Sequence, residues 1–457
     1  MAEPRIVFAA PASGSGKTTV VCGVLQALRE RGKRPVSFKC GPDYIDPMFH
    51  ERALGVPSGN LDLFFSDPKT LRRLFLRDAT GAELAVIEGV MGYYDGLGAA
   101  TDAASTCRVA EALDAPAVLI VDARGQSLSA LATLDGFLRY RPDSRIRGVI
   151  FNRMSGHVYN AIKPEAARLG VRPLGYLPKL DGLSIESRHL GLITPGEIAD
   201  LSGRLHRLAE ALEESVDLDG LLELAASAPP LPCPPEPSYP VLPKTRIAVA
   251  RDEAFCFLYK DNLRLLERLG AELSFFSPLR DAALPSGTQG LILPGGYPEL
   301  YAETLSCNRS MRQAIREALR NGLPCLAECG GFLYLHRELE DASGISYPMV
   351  DIIPTKAWRT ERLSRFGYVT LSAKRDGGLL RAGETVRGHE FHYWESGDPG
   401  IDLLAEKPAG GRRWDCAHVS ETLYAGFPHL FYESNPKLIE RFLRRCAGEE
   451  GEAWQSL

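Results

Sequence analysis

The sequence lacks any Cys-x-x-Cys pair, although it holds ten cysteines in 457 residues. Thiols scattered in this way build neither a zinc ribbon nor a redox pair, and in a reducing compartment they stay free. The nine histidines also lack a zinc spacing. His389 and His392 have only Glu390 nearby, which makes a metal site there the weaker reading. No apolar run is long enough to span a bilayer, so no membrane partner is expected. A dense Lys/Arg tract is missing and the net charge is −5, which argues against a nucleic-acid partner. Met1-Ala2-Glu3-Pro4-Arg5 passes straight into a strand-like run with no signal-peptide pattern. A cytoplasmic enzyme is the expectation, and no internal repeat suggests a solenoid.

What is present is ordinary in bulk: 45% hydrophobic and 24% charged residues, in a chain long enough for two or three domains. Ala225 to Lys244 is crowded with proline, which favours extended backbone and reads as a semi-rigid linker. The expected division is therefore 1–224, a linker at 225–244, and 245–450. In the first part, apolar runs at Ile6–Ala10, Pro35–Lys39, Leu84–Ile87, Ala117–Val121, Arg147–Phe151 and Arg172–Tyr176 alternate with amphipathic stretches such as Thr18–Arg31. The second part repeats this at Ile247–Ala250, Leu273–Phe276, Gly290–Leu293 and Pro324–Ala327, with helices near Asn262–Leu269 and Ser310–Asn321. Both halves thus read as α/β, with parallel sheets whose functional residues gather at strand C-termini.

After the first strand comes Ser13-Gly14-Ser15-Gly16-Lys17-Thr18-Thr19, opening a helix. Such a loop cradles phosphate with backbone amides, Lys17 reaches the terminal phosphates of ATP and Thr18 can ligate Mg²⁺. Pro11 stands where the usual pattern has glycine, a variant similar to the loop of dethiobiotin-synthetase-like enzymes. Acidic residues mark two further strand ends: Asp43 and Asp46 after Lys39, and Glu88 before Gly89. Asp46 and Glu88 are candidate Mg²⁺ ligands beside Thr18, since Mg²⁺ needs only one or two protein carboxylates. Asp43 and Asp46 also suit a turn cap. Asn152, just past a strand, is placed to read adenine or simply to form a turn.

In the second half, Leu326-Ala327-Glu328-Cys329-Gly330-Gly331 breaks a buried strand into a glycine pair and a helix. A thiol on such a turn is expected to be exposed and to favour thiolate. Gly295 and Gly296, in Pro294-Gly295-Gly296-Tyr297-Pro298-Glu299, join Gly330 as candidate oxyanion donors. His429 is the preferred acid/base partner, with His336, His389, His392 and His418 in competition.

Taken with Phe38–Pro47, Glu88–Gly92, Arg251–Phe257 and Gly388–Tyr393, these motifs resemble the cobyrinic acid a,c-diamide synthase family nearly end to end. The resemblance implies a dethiobiotin-synthetase-like ATP domain followed by a flavodoxin-like class I glutaminase domain. Glutamine would be cleaved at Cys329 with His429 as acid/base, and its ammonia would attack an acyl phosphate made with ATP and Mg²⁺. The acceptor would be a tetrapyrrole polycarboxylate, cobyrinic acid amidated at its a and c acetates, with hydrogenobyrinic acid and nickel-sirohydrochlorin as alternative macrocycles. By the same resemblance Asp43, Asp46 and Glu88 belong to the ATP and carboxylate chemistry. Tyr44, Glu186, Arg188 and His189 would contact the macrocycle; a homodimer is left open. The wider glutaminase class carries Glu two residues after the histidine, where this chain has Phe431, so the orienting partner of His429 is unassigned. A CTP-synthase-like ligase and a ParA/MinD-like nucleotide switch are the alternative readings.

Overall fold

The computed structural model describes residues 3–180, 182, 195–363 and 365–449. Glu186, Arg188 and His189 lie outside them. The chain divides into two compact units, Met1–Glu236 and Pro237–Leu457.

The first unit is built on seven parallel strands: β1 (Arg5–Ala9), β2 (Pro35–Cys40), β3 (Ser58–Leu61), β4 (Leu84–Glu88), β5 (Ala117–Asp122), β6 (Ile146–Asn152) and β7 (Arg172–Leu177). Their order across the sheet is β3-β2-β4-β1-β5-β6-β7. Burial on both faces explains their unbroken apolar runs. Val7 and Ala9 of β1 enter one core layer, whereas Ile6 and Phe8 enter the other. The chain leaves β1 for β2 on one side and leaves β5 for β6 on the other, so a crevice opens at the C-terminal ends of these central strands. Helices α1 (Lys17–Glu30) and α2 (Ile45–Leu54) start at this edge. The six strands read from periodicity are present. β3, with the sequence Ser-Gly-Asn-Leu, has no apolar run to announce it.

The second unit has a six-stranded sheet containing β8 (Thr245–Ala250), β9 (Ala271–Phe276), β10 (Gly290–Leu293) and β11 (Cys325–Glu328). The order is 418–419, 423–426, β11, β10, β8, β9, parallel except for the 418–419 edge. A five-stranded antiparallel sheet, which the sequence reading did not anticipate, packs against it. Its strand Thr385–His392 alternates strictly, with Val386, Gly388, Glu390 and His392 buried and Thr385, Arg387 and Phe391 exposed. Inward Val386 joins Leu326 of β11 and Ile292 of β10 in one core cluster. Two polar residues, Glu390 and His392, interrupt that apolar stripe and hide the strand from a hydropathy pattern.

Between Ser227 and Lys244 there is no helix or strand. Its start is nevertheless anchored: Leu231 is buried in the first unit, and the Pro229 carbonyl accepts from Arg5 Nη2 at 2.7 Å. The fully buried Arg5 guanidinium also donates to the carbonyls of Glu3, Leu113 and Asp114. Replacing it orphans several carbonyls at once. Arg5→Leu is therefore expected to cost about 1–3 kcal/mol of urea stability and to speed protease cleavage in the proline-rich segment.

Candidate active sites at the strand ends

The phosphate loop departs from β1 with Gly14 and Gly16 at φ 78° and 91°, the left-handed region that glycine enters without strain. A side chain on Gly16 would collide with Asn152 at the end of β6. Asn152 Nδ2 donates to the Ser15 carbonyl at 2.9 Å, so this side chain braces the loop, a role its position in sequence did not announce. Arg153, paired with Asp122 of β5, donates to the Gly14 carbonyl at 3.2 Å. Ser13 lies on the exposed side of the loop, while Thr18 and Thr19 fall in the first turn of α1. Lys17 Nζ is held by the carbonyls of Ala12 (3.2 Å) and Met91 (2.7 Å). Burial and the neighbouring Lys39 lower its pKa to about 8.

Beside this loop, β2 and β4 pair so that Lys39 and Glu88 are direct neighbours. Lys39 Nζ lies 2.8 Å from Glu88 Oε1 and 2.6 Å from Asp46 Oδ2, with all three side chains buried. Desolvation alone would discharge the ammonium and protonate both acids. Instead Glu88 and Asp46 raise Lys39 above its ordinary value. Lys39 in turn, with His50 and the Thr18 hydroxyl, holds Glu88 below the usual carboxylate range against its burial. Asp46 goes the other way: burial and the nearby Glu88 push it up to about 7. The triplet thus keeps one firm anion and one carboxyl that titrates near neutrality. Thr18 Oγ1 donates to Glu88 Oε1 at 2.7 Å, tying the triplet to the loop. Asp46 Oδ1 is buried and has no hydrogen-bond donor among the described residues.

Asp43 stands next to this group but does a different job, because its Oδ1 accepts the amides of Ile45 (2.7 Å) and Asp46 (3.3 Å) and so caps α2. Tyr44, buried, follows it at the start of the helix. Three participants went unassigned in the sequence reading. Lys39 and His50 are buried polar residues, the latter 3.7 Å from Glu88. Asp95 accepts the Gly92 amide at 3.0 Å and helps hold the charge on Lys17. A lysine inside the apolar run of β2 was the available signal.

In the second unit Cys329 follows β11 at φ 46° and ψ −101°, a conformation that costs a non-glycine residue about 1–3 kcal/mol. Its amide donates to the Gly426 carbonyl at 2.8 Å, and its sulfur faces the Gly330 amide. The thiol is not exposed as expected, however: Cys329 is only 5% accessible. Burial, with Glu299 nearby, pushes its pKa well above that of a free thiol, and the Gly330 amide offsets only part of this. The helix that follows spans just Gly330–Tyr334, too short to override desolvation.

His429 emerges from the strand neighbouring β11, since Glu328 pairs with Gly426 three residues before it. Its ring rests on Gly295, where any side chain would overlap it. Gly295 is thus a seat for the imidazole, and its carbonyl accepts from Phe257 N at 3.0 Å. A Cβ on Gly330 would come within 2.9 Å of the Gly296 amide nitrogen, so this loop is wedged between His429 and the residue after the thiol. The Tyr297 amide is engaged by the Ala254 carbonyl. Burial, with His389 and His392 nearby, lowers the pKa of His429 to about 3, so the ring is neutral. The competing histidines hold other posts. His336 bridges the Phe332 carbonyl and Ser396, His418 bonds the Asp398 carbonyl, and His392 bonds Trp394 O while stacking on Phe427. His389 is the cross-strand partner of His429. Phe431 is buried against Tyr259, a packing residue where the wider class has a carboxylate.

Both halves have recognisable relatives. Residues 6–193 match the model of the CobQ/CobB/MinD/ParA nucleotide binding domain, and 246–436 that of the CobB/CobQ-like glutamine amidotransferase domain. The cobyrinate a,c-diamide synthase of Caldanaerobacter subterraneus subsp. tengcongensis is 39% identical over 95% of this chain and 96% of its own. The chain belongs to the cobyrinate a,c-diamide synthase family. The Salmonella typhimurium cobyrinate a,c-diamide synthase is 40% identical over 96% of this chain and 97% of its own. A hydrogenobyrinate a,c-diamide synthase of Streptomyces coelicolor is 38% identical over 97% and 98%. Membership makes this chain a glutamine-dependent amidating ligase with a nucleotide-binding unit.

The buried thiol generates a direct test. At neutral pH, without substrates, iodoacetamide is expected to label the exposed Cys233 and Cys307 well before Cys329, as read by peptide mass mapping.

Proposed function

We propose that this enzyme converts the a and c acetate carboxylates of cobyrinate into amides, using ATP and ammonia released from glutamine. The supporting observation is that one chain carries two complementary devices: a strained cysteine and a neutral histidine joined by one glycine loop, and a phosphate loop joined through Thr18 to a buried carboxylate–ammonium triplet. The near end-to-end likeness to enzymes named for this reaction supports the choice of acceptor. Hydrogenobyrinate is the second reading, favoured by the Streptomyces coelicolor relative. The cytoplasm, where ATP and glutamine are made, is the proposed location.

In this reading His429 takes the Cys329 proton as the sulfur attacks the glutamine amide. Amides of Gly296 and Gly330 receive the developing oxyanion, and the protonated imidazole then delivers its proton to departing ammonia. Water releases glutamate from the thioester. In the first unit the loop amides and Lys17 hold the ATP phosphates, while Lys39 and Asp46 flank the acceptor carboxylate as it takes the γ-phosphoryl group. Asp43 fixes the start of α2, and Tyr44 lines the acceptor side. The hard oxygens of Thr18, Asp46 and Glu88, including the unpartnered Asp46 Oδ1, fit Mg²⁺, which when bound neutralises phosphate charge. The acyl phosphate supplies the leaving group that a carboxylate lacks. Ammonia attack expels phosphate and leaves the amide.

The two devices separate by mutation. Cys329→Ala should abolish glutamine-dependent synthesis and spare synthesis from high ammonium, as followed by product mass. Gly295→Ala, by evicting the His429 ring, should lower glutamine-dependent turnover about a hundred-fold or more with the same sparing. Lys17→Ala or Glu88→Gln should damage synthesis from both nitrogen sources.

A further inference from the structure

Among the described residues five carboxylates are buried in the second unit, and their partners differ. Asp261 lies 3.5 Å from the guanidinium of Arg264. Asp252 accepts the amides of Ala254, Phe255 and Leu279 and the Ser277 hydroxyl, so it is a fully bonded brace for the loop after β8. Glu328 accepts from the Tyr432 hydroxyl and the Leu430 amide. Glu390, whose oxygens accept no hydrogen bond among the described residues, lies 3.8 Å from His392 Nε2. Glu299 has no comparable partner: among the described residues, its carboxylate faces only its own backbone N–H and no cationic side chain.

Its position is as telling as its isolation. Glu299 is 9% exposed, within the short 3₁₀ turn Pro298–Tyr301 that follows the Gly295–Gly296 loop. That turn is pressed onto the residue after the nucleophile, because a Cβ on Gly330 would lie 2.9 Å from Pro298 Cδ. The carboxylate is also the largest charged influence on the Cys329 thiol. Burial holds its pKa at about 7, the behaviour of an anion site without its counter-ion. A buried carboxylate left without a cation is costly. The substrate cleaved at Cys329 in this reading is a zwitterion whose α-ammonium is separated from its amide group by three carbons.

We propose that Glu299 receives the α-ammonium of glutamine, and so selects glutamine over amides that lack this group. The inference deepens the glutaminase reading and rests on it. The ammonium satisfies the carboxylate, the carboxylate replaces the lost hydration of the ammonium, and the amide carbon is thereby placed at Cys329. No proton need move for this pairing, since Glu299 binds as the anion and the amine as the cation.

The test compares glutamine with glutaramate, the same chain without the amino group, in the full-length enzyme supplied with ATP, Mg²⁺ and cobyrinate. Ammonia release and amide product are followed together. Wild type should prefer glutamine strongly. Glu299→Gln should lower kcat/KM for glutamine about thirty-fold or more, mainly through KM, and leave kcat/KM for glutaramate and ammonium-dependent synthesis unchanged. Glu299→Asp should recover part of the preference. If Glu299→Gln slows glutamine and glutaramate equally, or keeps the wild-type preference, the assignment is overturned while the glutaminase reading stands. If wild type releases no ammonia from glutamine, both fall.

Discussion

One buried ammonium shared between two buried carboxylates governs the first unit. Neither Glu88 nor Asp46 could sit charged in that interior without Lys39, and Lys39 could not sit there without them. The strand register makes Lys39 and Glu88 neighbours, and the Asp43 cap fixes where α2 begins and so where Asp46 stands. Thr18 then links the group to the phosphate loop. The result is a charge arrangement set before any nucleotide arrives, as transition-state stabilisation without reorganisation requires. Asp46, poised near neutrality between a lysine and a second acid, is the member whose charge a phosphate or carboxylate ligand would most readily change.

The second unit rests on close packing of backbone. The Gly295 seat for His429, the near-contact of Gly330 with the Gly296 amide, and the positive φ of Cys329 gather the proposed nucleophile, base and amides about one glycine loop. Burial keeps the thiol protonated and the imidazole neutral, so the pair is quiet in the free enzyme. That suits an enzyme whose ammonia must not be wasted. Ammonia is scarce at neutral pH, and release from glutamine within the same chain provides an effective concentration that solution does not.

Much of this was legible in sequence because the candidate residues sit where parallel strands end. Apolar runs marked the central strands, and glycine-rich breaks marked Lys17, Gly295 and Cys329. Three features escaped for physical reasons. The antiparallel sheet was hidden because Glu390 and His392 occupy inward positions of an otherwise apolar face. Cys329 was expected to be exposed, since a strand-to-helix turn says nothing of the loop that folds over it; here the Gly295–Glu299 segment does so. Lys39 and Asn152 act through partners remote in sequence, which no local pattern encodes. The roles matched to Glu186, Arg188 and His189 fall outside the described residues.

The central claim is that nitrogen freed at Cys329 ends on an acyl phosphate made beside Lys17 and Glu88. It is tested most directly by incubating the enzyme with amide-¹⁵N glutamine, ATP and Mg²⁺, with cobyrinate, hydrogenobyrinate and nickel-sirohydrochlorin each supplied separately, and weighing the macrocycle. The account predicts a product with two carboxyls converted to ¹⁵N amides from cobyrinate, with ADP and phosphate formed in step. Unlabelled amides, amidation without ATP, or a macrocycle of unchanged mass in all three incubations would contradict it.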